Sequence, residues 1–181
     1  MNEVIENIIS RRSVKKYKPD MVPDEIIDKI LEAGTYAATG MNKQSPIIIA
    51  VKDKTIRDRI SKMNAEYRGN ANFDPFYGAP VVLVVLADKN VFTNVYDGSL
   101  VMGNLMLAAH SLGIGSCWIH RAKEVFDTEE GKALLKSKSK LEYGDKIKLN
   151  AEIEIPKVKR RVYKQLSKKR VSKIDHIKKA K

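Results

Sequence analysis

Apolar residues along this chain recur in several segments at the three- and four-residue spacing that favours α-helices. The predicted helices cover residues 3–10, 23–31, 56–63, 97–112 and 129–136. Residues 97–112 are apolar on nearly every side, which is typical of a helix in the centre of a protein. The pattern therefore predicts one central helix with further helices around it.

Short apolar runs between these helices predict buried strands. They are PIIIAV at residues 46–51, VVLVVLA at residues 81–87 and IGSCWI at residues 114–119. In residues 147–155, apolar and polar residues alternate strictly, which indicates a strand with one exposed face, and Pro156 ends it. Helices and strands therefore follow one another along residues 3–155, without an internal repeat.

The excess positive charge lies at the carboxyl end. The 181 residues carry a formal net charge of +12. Residues 1–135 hold 17 Lys and Arg against 17 Asp and Glu, whereas residues 136–181 hold 17 against 5. A basic body would indicate nucleic-acid binding, but here only the tail is basic. We divide the chain into a domain at residues 1–155 and a basic extension at residues 156–181.

The sequence also excludes several classes of protein. A single cysteine, Cys117, cannot form an intramolecular disulfide framework or a cysteine-based zinc site, and the three histidines lack metal-binding spacing. We therefore expect no metal. No stretch reaches the roughly 18 apolar residues of a membrane span. The acidic residues 1–6 do not resemble a secretory signal. We expect a cytoplasmic protein that contacts no membrane.

Two polar segments offer the groups that a phosphorylated, heteroaromatic cofactor needs. RRSVKKY at residues 11–17 gathers four cations and a hydroxyl directly after the first helix. ATGMNKQSP at residues 38–46 carries two amides, Asn42 and Gln44, just before a strand. Cations hold phosphate, and amides donate to and accept from a polar ring edge. Taken singly, the arginines could complement a helix end and the amides could cap a loop, but their conjunction favours a cofactor.

These segments resemble the amino-terminal signature of the nitroreductase family of FMN-dependent oxidoreductases. The resemblance runs through RRSVKKYKPDMVPDEIIDKILEAGTYAATGMNKQSPIIIAV, and DGSLVMGNLMLAAHSLGIGSCWIHRAKEVF is similar to the family's central helix and following strand. It spans residues 3–135. The resemblance implies an α+β fold, with a nitroreductase-type mixed β-sheet flanked by helices in a single domain. It also implies a homodimer with FMN sites at the interface.

The resemblance assigns cofactor-binding roles by position. The implied residues are Arg11, Arg12, Ser13, Lys15, Asn42, Gln44, Ile119, His120 and Arg121. Arg11 and Ser13 would contact the phosphate and ribityl chain, and Arg12 would lie near the pyrimidine edge of the ring, with Lys15 supporting it. Asn42 and Gln44 would touch the isoalloxazine or the ribityl hydroxyls. The backbone of residues 119–121 would lie against the flavin near N5.

The implied activity is that of an NAD(P)H-dependent FMN oxidoreductase. NADH or NADPH would pass hydride to the flavin, and nitroaromatic, quinone or similar small acceptors would collect the electrons in a ping-pong cycle. No protein side chain is expected to be catalytic, because the chemistry occurs at flavin N5. A shared site also explains the lack of a GxGxxG fingerprint after a strand. Phe73, Phe76 and Tyr77 are expected to line the substrate pocket, with anchoring of loop 68–80 as the alternative.

Three other residues invite a chemical interpretation. Cys117 lies in an apparent strand, where core packing is the simpler role. His110 lies on the central helix, so we expect a hydrogen-bonded core histidine. For His120 the sequence leaves both a flavin contact and an ordinary loop position open.

The carboxyl end departs from the family pattern. Relatives continue with a glycine-rich strand and a basic segment that completes the phosphate site, whereas residues 147–155 contain no glycine. Residues 156–181 carry 12 Lys and Arg and one acid, Asp175. Three alternatives stay open: a diverged ending that wraps the partner subunit, a basic extension that binds nucleic acid or another anionic surface, or a shifted reading frame. The alternative function is a flavin-binding or anionic-polymer-binding protein without turnover, whose phosphate site the tail has altered.

Overall fold

The computed structural model describes residues 2–140, 148–149 and 153–154. Within these residues the helices are α1 (Glu3–Ser10), α2 (Asp24–Thr35), α3 (Lys54–Tyr67), α4 (Asn94–Ser111), α5 (Ala122–Asp127) and α6 (Glu129–Lys138). The strands are β1 (Ile47–Val51), β2 (Val82–Leu86), β3 (Ser139–Lys140), β4 (Lys148–Leu149) and β5 (Ile153–Glu154). A 3-10 turn, Gly40–Asn42, precedes β1. The alternation of helices and strands confirms the predicted α+β class.

The main sheet is built around β1. It pairs antiparallel with β2, from Ile47 opposite Leu86 to Val51 opposite Val82, and its other edge pairs with β5. β3 and β4 form a separate antiparallel pair. A parallel pairing occurs at an isolated bridge between Ser13 and Ser116. β2 therefore has one edge that no named strand of the described chain covers.

Both faces of the sheet are covered, which explains the unbroken apolar runs of β1 and β2. Ile49 and Val51 of β1 pack into a core with α3, α5 and α6, whereas Ile48 and Ala50 pack into a second core with α2 and α4. Successive strand residues face opposite sides. Because each side meets a helix layer, every position of the strand is apolar.

Helix packing is close where α2 crosses α4. At Gly34 a Cβ atom would lie 2.6 Å from Leu105 Cδ2 and 2.7 Å from Ile48 Cδ1. Those distances are shorter than carbon atoms tolerate, so a larger residue at this position would force the Leu105 and Ile48 side chains to shift. The central helix α4 is thereby fixed against the sheet.

Two strand predictions need correction. Residues 114–119 do not form a regular strand: the pairing there is the single bridge at Ser116. The run is apolar because Ile114 and Ile119 pack against the two cores, which requires no hydrogen-bonded ladder. The described parts of residues 147–155 belong to two different sheets, as β4 and β5. The rest of that predicted strand, and the extension at residues 156–181, lie outside the described residues.

The helix α1 presents an unusual surface. Its apolar side chains Val4, Ile5, Ile8 and Ile9 are each about half exposed or more. Its polar face holds it to α4, because Asn7 Nδ2 donates to the Leu107 carbonyl at 3.0 Å and Ser10 Oγ lies 2.9 Å from His110 Nε2. The apolar side of α1 thus faces away from the described core. Among the helices described, none has the length and apolar character that crossing a membrane requires.

Candidate functional site

The cationic segment, residues 11–17, lies beside the segment that follows α4. Val14 N donates to the Ser116 carbonyl at 3.0 Å, next to the Ser13–Ser116 bridge. The fit is close: a Cβ atom on Gly115 would lie 2.9 Å from Val14 Cγ2. Two segments about a hundred residues apart in sequence therefore form one wall, which carries the predicted phosphate-binding cations at one end and residues 119–121 at the other.

Buried polar atoms without a hydrogen-bond partner occur at this wall and in the amide loop, and they point to a missing ligand. Among the described residues, the buried side-chain atoms that lack a hydrogen bond are Arg11 Nη1, Ser45 Oγ, Ser116 Oγ and Glu124 Oε2. Three of the four lie in or beside the predicted cofactor segments. Unpaired buried polar groups are costly, so each calls for a partner. A guanidinium and two hydroxyls are suitable donors for phosphate and for ribityl or ring oxygens, so these residues fit a group such as FMN.

The other cations of the segment are more exposed. Arg12 Nη1 donates to the carbonyls of Ile9 at 2.6 Å and Arg11 at 2.8 Å, so its guanidinium caps the end of α1. Lys15 Nζ lies 6.0 Å from the centre of the Tyr77 ring, within reach of a cation–π contact. Arg11 is thus the cation of this segment whose donor is both buried and unpartnered.

The predicted amide loop is organised by its own hydrogen bonds. Gln44 Nε2 donates to Asn42 Oδ1 at 2.9 Å and to Thr39 Oγ1 at 3.1 Å, and Gln44 N donates to the same hydroxyl. Asn42 itself is exposed. The two amides predicted to bind the cofactor therefore form one connected unit.

Within one chain the amide loop and the cationic segment lie apart. The loop contacts the start of α4 through Gly40 N and Asp97, whereas the cationic segment adjoins its end through Ser10 and His110. These α4 positions are separated by about 20 Å along the helix, from a rise of 1.5 Å per residue. The structure thus brings Arg11 and Ser13 to one end of α4, and Asn42 and Gln44 to the other.

The segment expected near flavin N5 is held by a buried amide. Arg121 Nε donates to Asn64 Oδ1 at 3.0 Å, and Asn64 Nδ2 donates to the His120 carbonyl at 3.3 Å. Asn64 is buried in α3, whereas the His120 side chain is exposed. Ile119 packs against the core. The sequence analysis missed Asn64, because nothing in α3 distinguishes it from an ordinary helix residue.

The aromatic loop is held by a partly buried carboxylate. Asp74 Oδ2 accepts from Arg57 Nη2 at 2.5 Å and from Gly78 N at 2.7 Å, and Asp74 Oδ1 accepts from Ser61 Oγ and Phe76 N. Burial alone would raise the pKa of Asp74, but the hydrogen bonds from Arg57, Ser61 and the two backbone amides outweigh it and lower the pKa to about 2. The Asp74 carboxylate is therefore charged at neutral pH and keeps these hydrogen bonds.

The three aromatic residues of this loop have different positions. Phe73 and Tyr77 are half exposed and meet edge to face, with ring centres 5.6 Å apart. Phe76 is only 6% exposed and belongs to the core. Its contact with a ligand would be limited to the inner wall of a cavity. Phe73 and Tyr77 are the two that can offer a ring to a bound acceptor.

Backbone strain is concentrated in these loops. The non-glycine residues of the described chain with positive φ are Met41, Asn42, Gln44, Tyr77 and Arg121, with φ between 51° and 83°. All five lie in the amide loop, the aromatic loop or residues 119–121. Such conformations cost free energy and tend to cluster at binding sites. Their distribution independently marks the same three segments.

A cavity of about 980 Å³ lies along the free edge of β2. Residues 79–87 form one side and residues 113–127 form the other, with Tyr17 and Tyr77 at its border. Its wall is mostly apolar, and neither Arg11 nor Asn42 lines it. Burial, together with nearby Cys117 and Tyr77, raises the pKa of Tyr17 to about 12, so its hydroxyl stays protonated and donates to the Val14 carbonyl. The cations that line this cavity are Lys18, Lys89, Arg121 and Lys123, and Arg121 is one of the predicted cofactor-binding residues.

Two remaining predictions concern single residues. His110 has the expected hydrogen bond, to Ser10, but it is only half buried. Cys117 is likewise half buried, beside Tyr17, and its Sγ makes a long contact of 3.9 Å with the Trp118 carbonyl. Neither takes part in a cluster with chemistry of its own.

Comparison with known proteins identifies the family. The sequence model of the nitroreductase family matches residues 8–130, about two thirds of the chain. The chain belongs to the nitroreductase family. The matched range contains the cationic segment, the amide loop and residues 119–121. The resemblance found in the sequence is thereby confirmed.

Proteins similar to this chain are flavin or NAD(P)H reductases by name, and a solved structure among them has the same fold. A nitroreductase with bound FMN from Bacteroides fragilis is 30% identical, with a TM-score of 0.69 over 88% of this chain and 94% of that one. A Methanothermobacter thermautotrophicus protein, provisionally named NADH dehydrogenase/NAD(P)H nitroreductase, is 32% identical over 64% of this chain and 60% of its own length. An FMN reductase of Bacillus subtilis is 30% identical over 64% of this chain and 53% of its own. This nitroreductase-family chain thus spans roughly half to two thirds of these curated relatives.

Proposed function

We propose that this chain is an NAD(P)H-dependent FMN oxidoreductase that reduces nitroaromatics, quinones or similar small acceptors. Bound FMN would supply the redox chemistry, by taking hydride from NADH or NADPH and then passing electrons to an acceptor that occupies the same place. The observation that carries the proposal is the set of unpartnered buried donors, Arg11 Nη1, Ser45 Oγ and Ser116 Oγ, in the family's cofactor segments.

The cationic segment would hold the phosphate end of the cofactor. Arg11 has a buried donor without a partner, and Ser13 lies next to it at the bridge to Ser116. A guanidinium bound to phosphate makes a charge-assisted hydrogen bond, which is stronger than one between neutral groups. Lys15 adds a second positive charge without a close carboxylate among the described ion pairs.

The ring end would be held by the two amides and by residues 119–121. Asn42 and Gln44 are already joined by a hydrogen bond, so their orientation is set before a ligand arrives. Arg121 is held by Asn64, which fixes the backbone on which a flavin would rest. Preorganisation of this kind lowers the entropy lost on binding.

Two copies of the chain would complete each site. The amide loop and the cationic segment lie about 20 Å apart along α4, so a second copy running antiparallel would bring the Asn42 of one chain to the Arg11 of the other. Apolar residues available for such an interface include Ile8, which is 49% exposed, and Phe92, which is 88% exposed. Exposed apolar surface of this kind marks interaction sites, and a twofold dimer buries the same patch on both subunits.

The acceptor would stack between the flavin and the aromatic loop. Phe73 and Tyr77 present half-exposed rings, and the Asp74 hydrogen bonds hold their backbone in place. Flat acceptors such as nitroarenes and quinones suit two rings that meet edge to face.

Steady-state kinetics test the proposed cycle. With NADH varied at several fixed concentrations of a nitroaromatic acceptor, a ping-pong enzyme gives parallel double-reciprocal lines. The same pattern is expected with a quinone, because both acceptors would use the site that NADH has left. Lines that intersect to the left of the axis would mean that NADH and acceptor bind together, which contradicts a shared site.

A further inference from the structure

Asp97 is a buried carboxylate that the proposed chemistry does not use. It lies in the first turn of α4 and is 2% exposed. Its Oδ1 accepts from Gly40 N at 2.9 Å, and its Oδ2 accepts from Thr93 Oγ1 at 2.8 Å. Among the described ion pairs, none involves Asp97. The helix dipole favours a carboxylate in the first turn of a helix. It does not explain why one oxygen of Asp97 binds the backbone of a distant loop.

That loop is strained. Met41, Asn42 and Gln44 have φ of 51°, 54° and 53°, which side chains other than glycine seldom adopt. Such a conformation persists only where the surroundings enforce it. Within the described residues, the hydrogen bond that ties residues 39–44 to another element is the one from Gly40 N to Asp97. The internal bonds of Gln44 to Asn42 and Thr39 act on the loop alone.

Close packing fixes the same contact. A Cβ atom on Gly40 would lie 2.3 Å from Thr93 Oγ1 and 2.6 Å from Thr93 Cγ2. Glycine is therefore required where the loop meets the start of α4, and Thr93 both packs on Gly40 and orients the Asp97 carboxylate. Gly40, Thr93 and Asp97 together form a latch between the loop and the central helix.

We propose that Asp97 is a positioning residue of the flavin site, which holds the loop of residues 39–44, with its left-handed Asn42 and Gln44, in the conformation that presents these two amides to the cofactor. The proposal rests on the proposed function, because it is the flavin that these amides would contact. Asp97 itself is buried behind the loop and touches no ligand. Its effect on the cofactor passes through the Gly40 backbone.

Cofactor affinity tests the latch in the full chain. Asp97→Ala should weaken FMN binding roughly tenfold or more, measured by quenching of flavin fluorescence, because a hydrogen bond from the loop to a carboxylate is lost. Thr93→Val is the milder variant, since it removes only the bond that orients the carboxylate. The matched control is Asn104→Ala, which removes another tether of α4, from Asn104 Nδ2 to the Ala33 carbonyl at 3.1 Å, and leaves the Gly40–Asp97 bond in place. It should leave FMN affinity unchanged.

A double-variant cycle separates positioning from general stability. If Asp97 acts through the amides, Asp97→Ala should have little further effect on FMN affinity in a chain that already carries Asn42→Ala and Gln44→Ala. Additive losses would overturn the proposal, because Asp97 would then act on binding by another route. An Asp97→Ala protein with native FMN affinity would overturn it as well.

Amide hydrogen exchange distinguishes failure of this inference from failure of the proposed function. Exchange across residues 39–46 should be faster in Asp97→Ala than in the unaltered chain, and unchanged in Asn104→Ala. An unaltered chain that binds no FMN would refute the proposed function, and the flavin role of the latch with it. Unchanged exchange in Asp97→Ala would refute the latch itself, whether or not the unaltered chain binds FMN.

Discussion

Replacement of Arg11 by alanine has opposite expected effects on cofactor binding and on the stability of the apoprotein. Arg11 Nη1 is buried and has no hydrogen-bond partner among the residues that the structure describes. Without FMN, this donor has lost its contacts with water and gained none in return. With FMN, it would bind a phosphate oxygen. Arg11→Ala therefore removes a favourable contact from the complex and an unfavourable one from the apoprotein.

The size of each effect follows from the hydrogen bond involved. A hydrogen bond to a charged group contributes about 1.5–3 kcal/mol, which corresponds to a loss of roughly 10- to 150-fold in FMN affinity. An unsatisfied buried donor costs about 1–3 kcal/mol, so its removal offsets the packing lost with the side chain. We expect the melting temperature of the apoprotein to stay the same or to rise.

Fluorescence titration with FMN and thermal melting of the apoprotein measure the two effects. The matched control is Lys16→Ala, which removes the same charge from an exposed position in the same segment. A screened surface charge should change affinity about twofold at most. Equal losses from Arg11→Ala and Lys16→Ala would show that only the net charge matters, and would refute Arg11 as the phosphate ligand. A marked fall in the melting temperature of the Arg11→Ala apoprotein would show that Arg11 Nη1 has a favourable partner there.

Three further predictions concern the fold and the assembly. Because the folded-state pKa of Asp74 is about 2, below that of an unfolded aspartate, its ion pair with Arg57 stabilises the fold above about pH 4 and is lost as the pH falls towards 2. The free energy of unfolding, measured with urea, should therefore fall less between about pH 4 and pH 2 in Asp74→Asn than in the unaltered chain, by about 1–2 kcal/mol after allowance for solvent screening. An unchanged pH profile would contradict this role of Asp74. Gly34→Ala should cost about 1–3 kcal/mol in chemical unfolding because its Cβ would overlap Leu105, and a wild-type midpoint would disprove that close contact. Ile8→Lys should sediment as a monomer in sedimentation velocity and should bind FMN more weakly, because its exposed apolar side chain would lie in the interface. A tight dimer that retains FMN would exclude α1 from the interface.

The sequence predicted those elements best whose burial shows in their own run of residues. β1 and β2 were predicted because helices cover both faces of the sheet, which makes each strand an unbroken apolar run. The central helix α4 was predicted closely, since it is apolar around most of its surface, whereas the short helix α5 (Ala122–Asp127) was not predicted. The strand prediction for residues 114–119 was wrong, because their apolar side chains pack against two cores and do not belong to a strand ladder.

The candidate site could be predicted only in part from the sequence, because its geometry depends on contacts between residues distant in sequence. The cationic segment and the amide loop could be identified by residue type, but their separation along α4 could not. Asp97 looked like an ordinary acid at a helix start, and Asn64 looked like an ordinary residue of α3. Their roles come from Gly40 and Arg121, each 57 residues away in sequence. The left-handed backbone of Gln44 likewise has no sequence signal, since glutamine does not favour it.

The measurement that most directly tests the central claim is the visible absorption spectrum of the purified protein after reconstitution with FMN, recorded without oxygen before and after addition of NADH. We predict flavin bands that stay with the protein through gel filtration, that bleach on addition of NADH, and that return when a nitroaromatic acceptor is added. A protein that passes through gel filtration without flavin, or whose bound flavin NADH does not bleach, would contradict the assignment as an NAD(P)H-dependent flavin oxidoreductase.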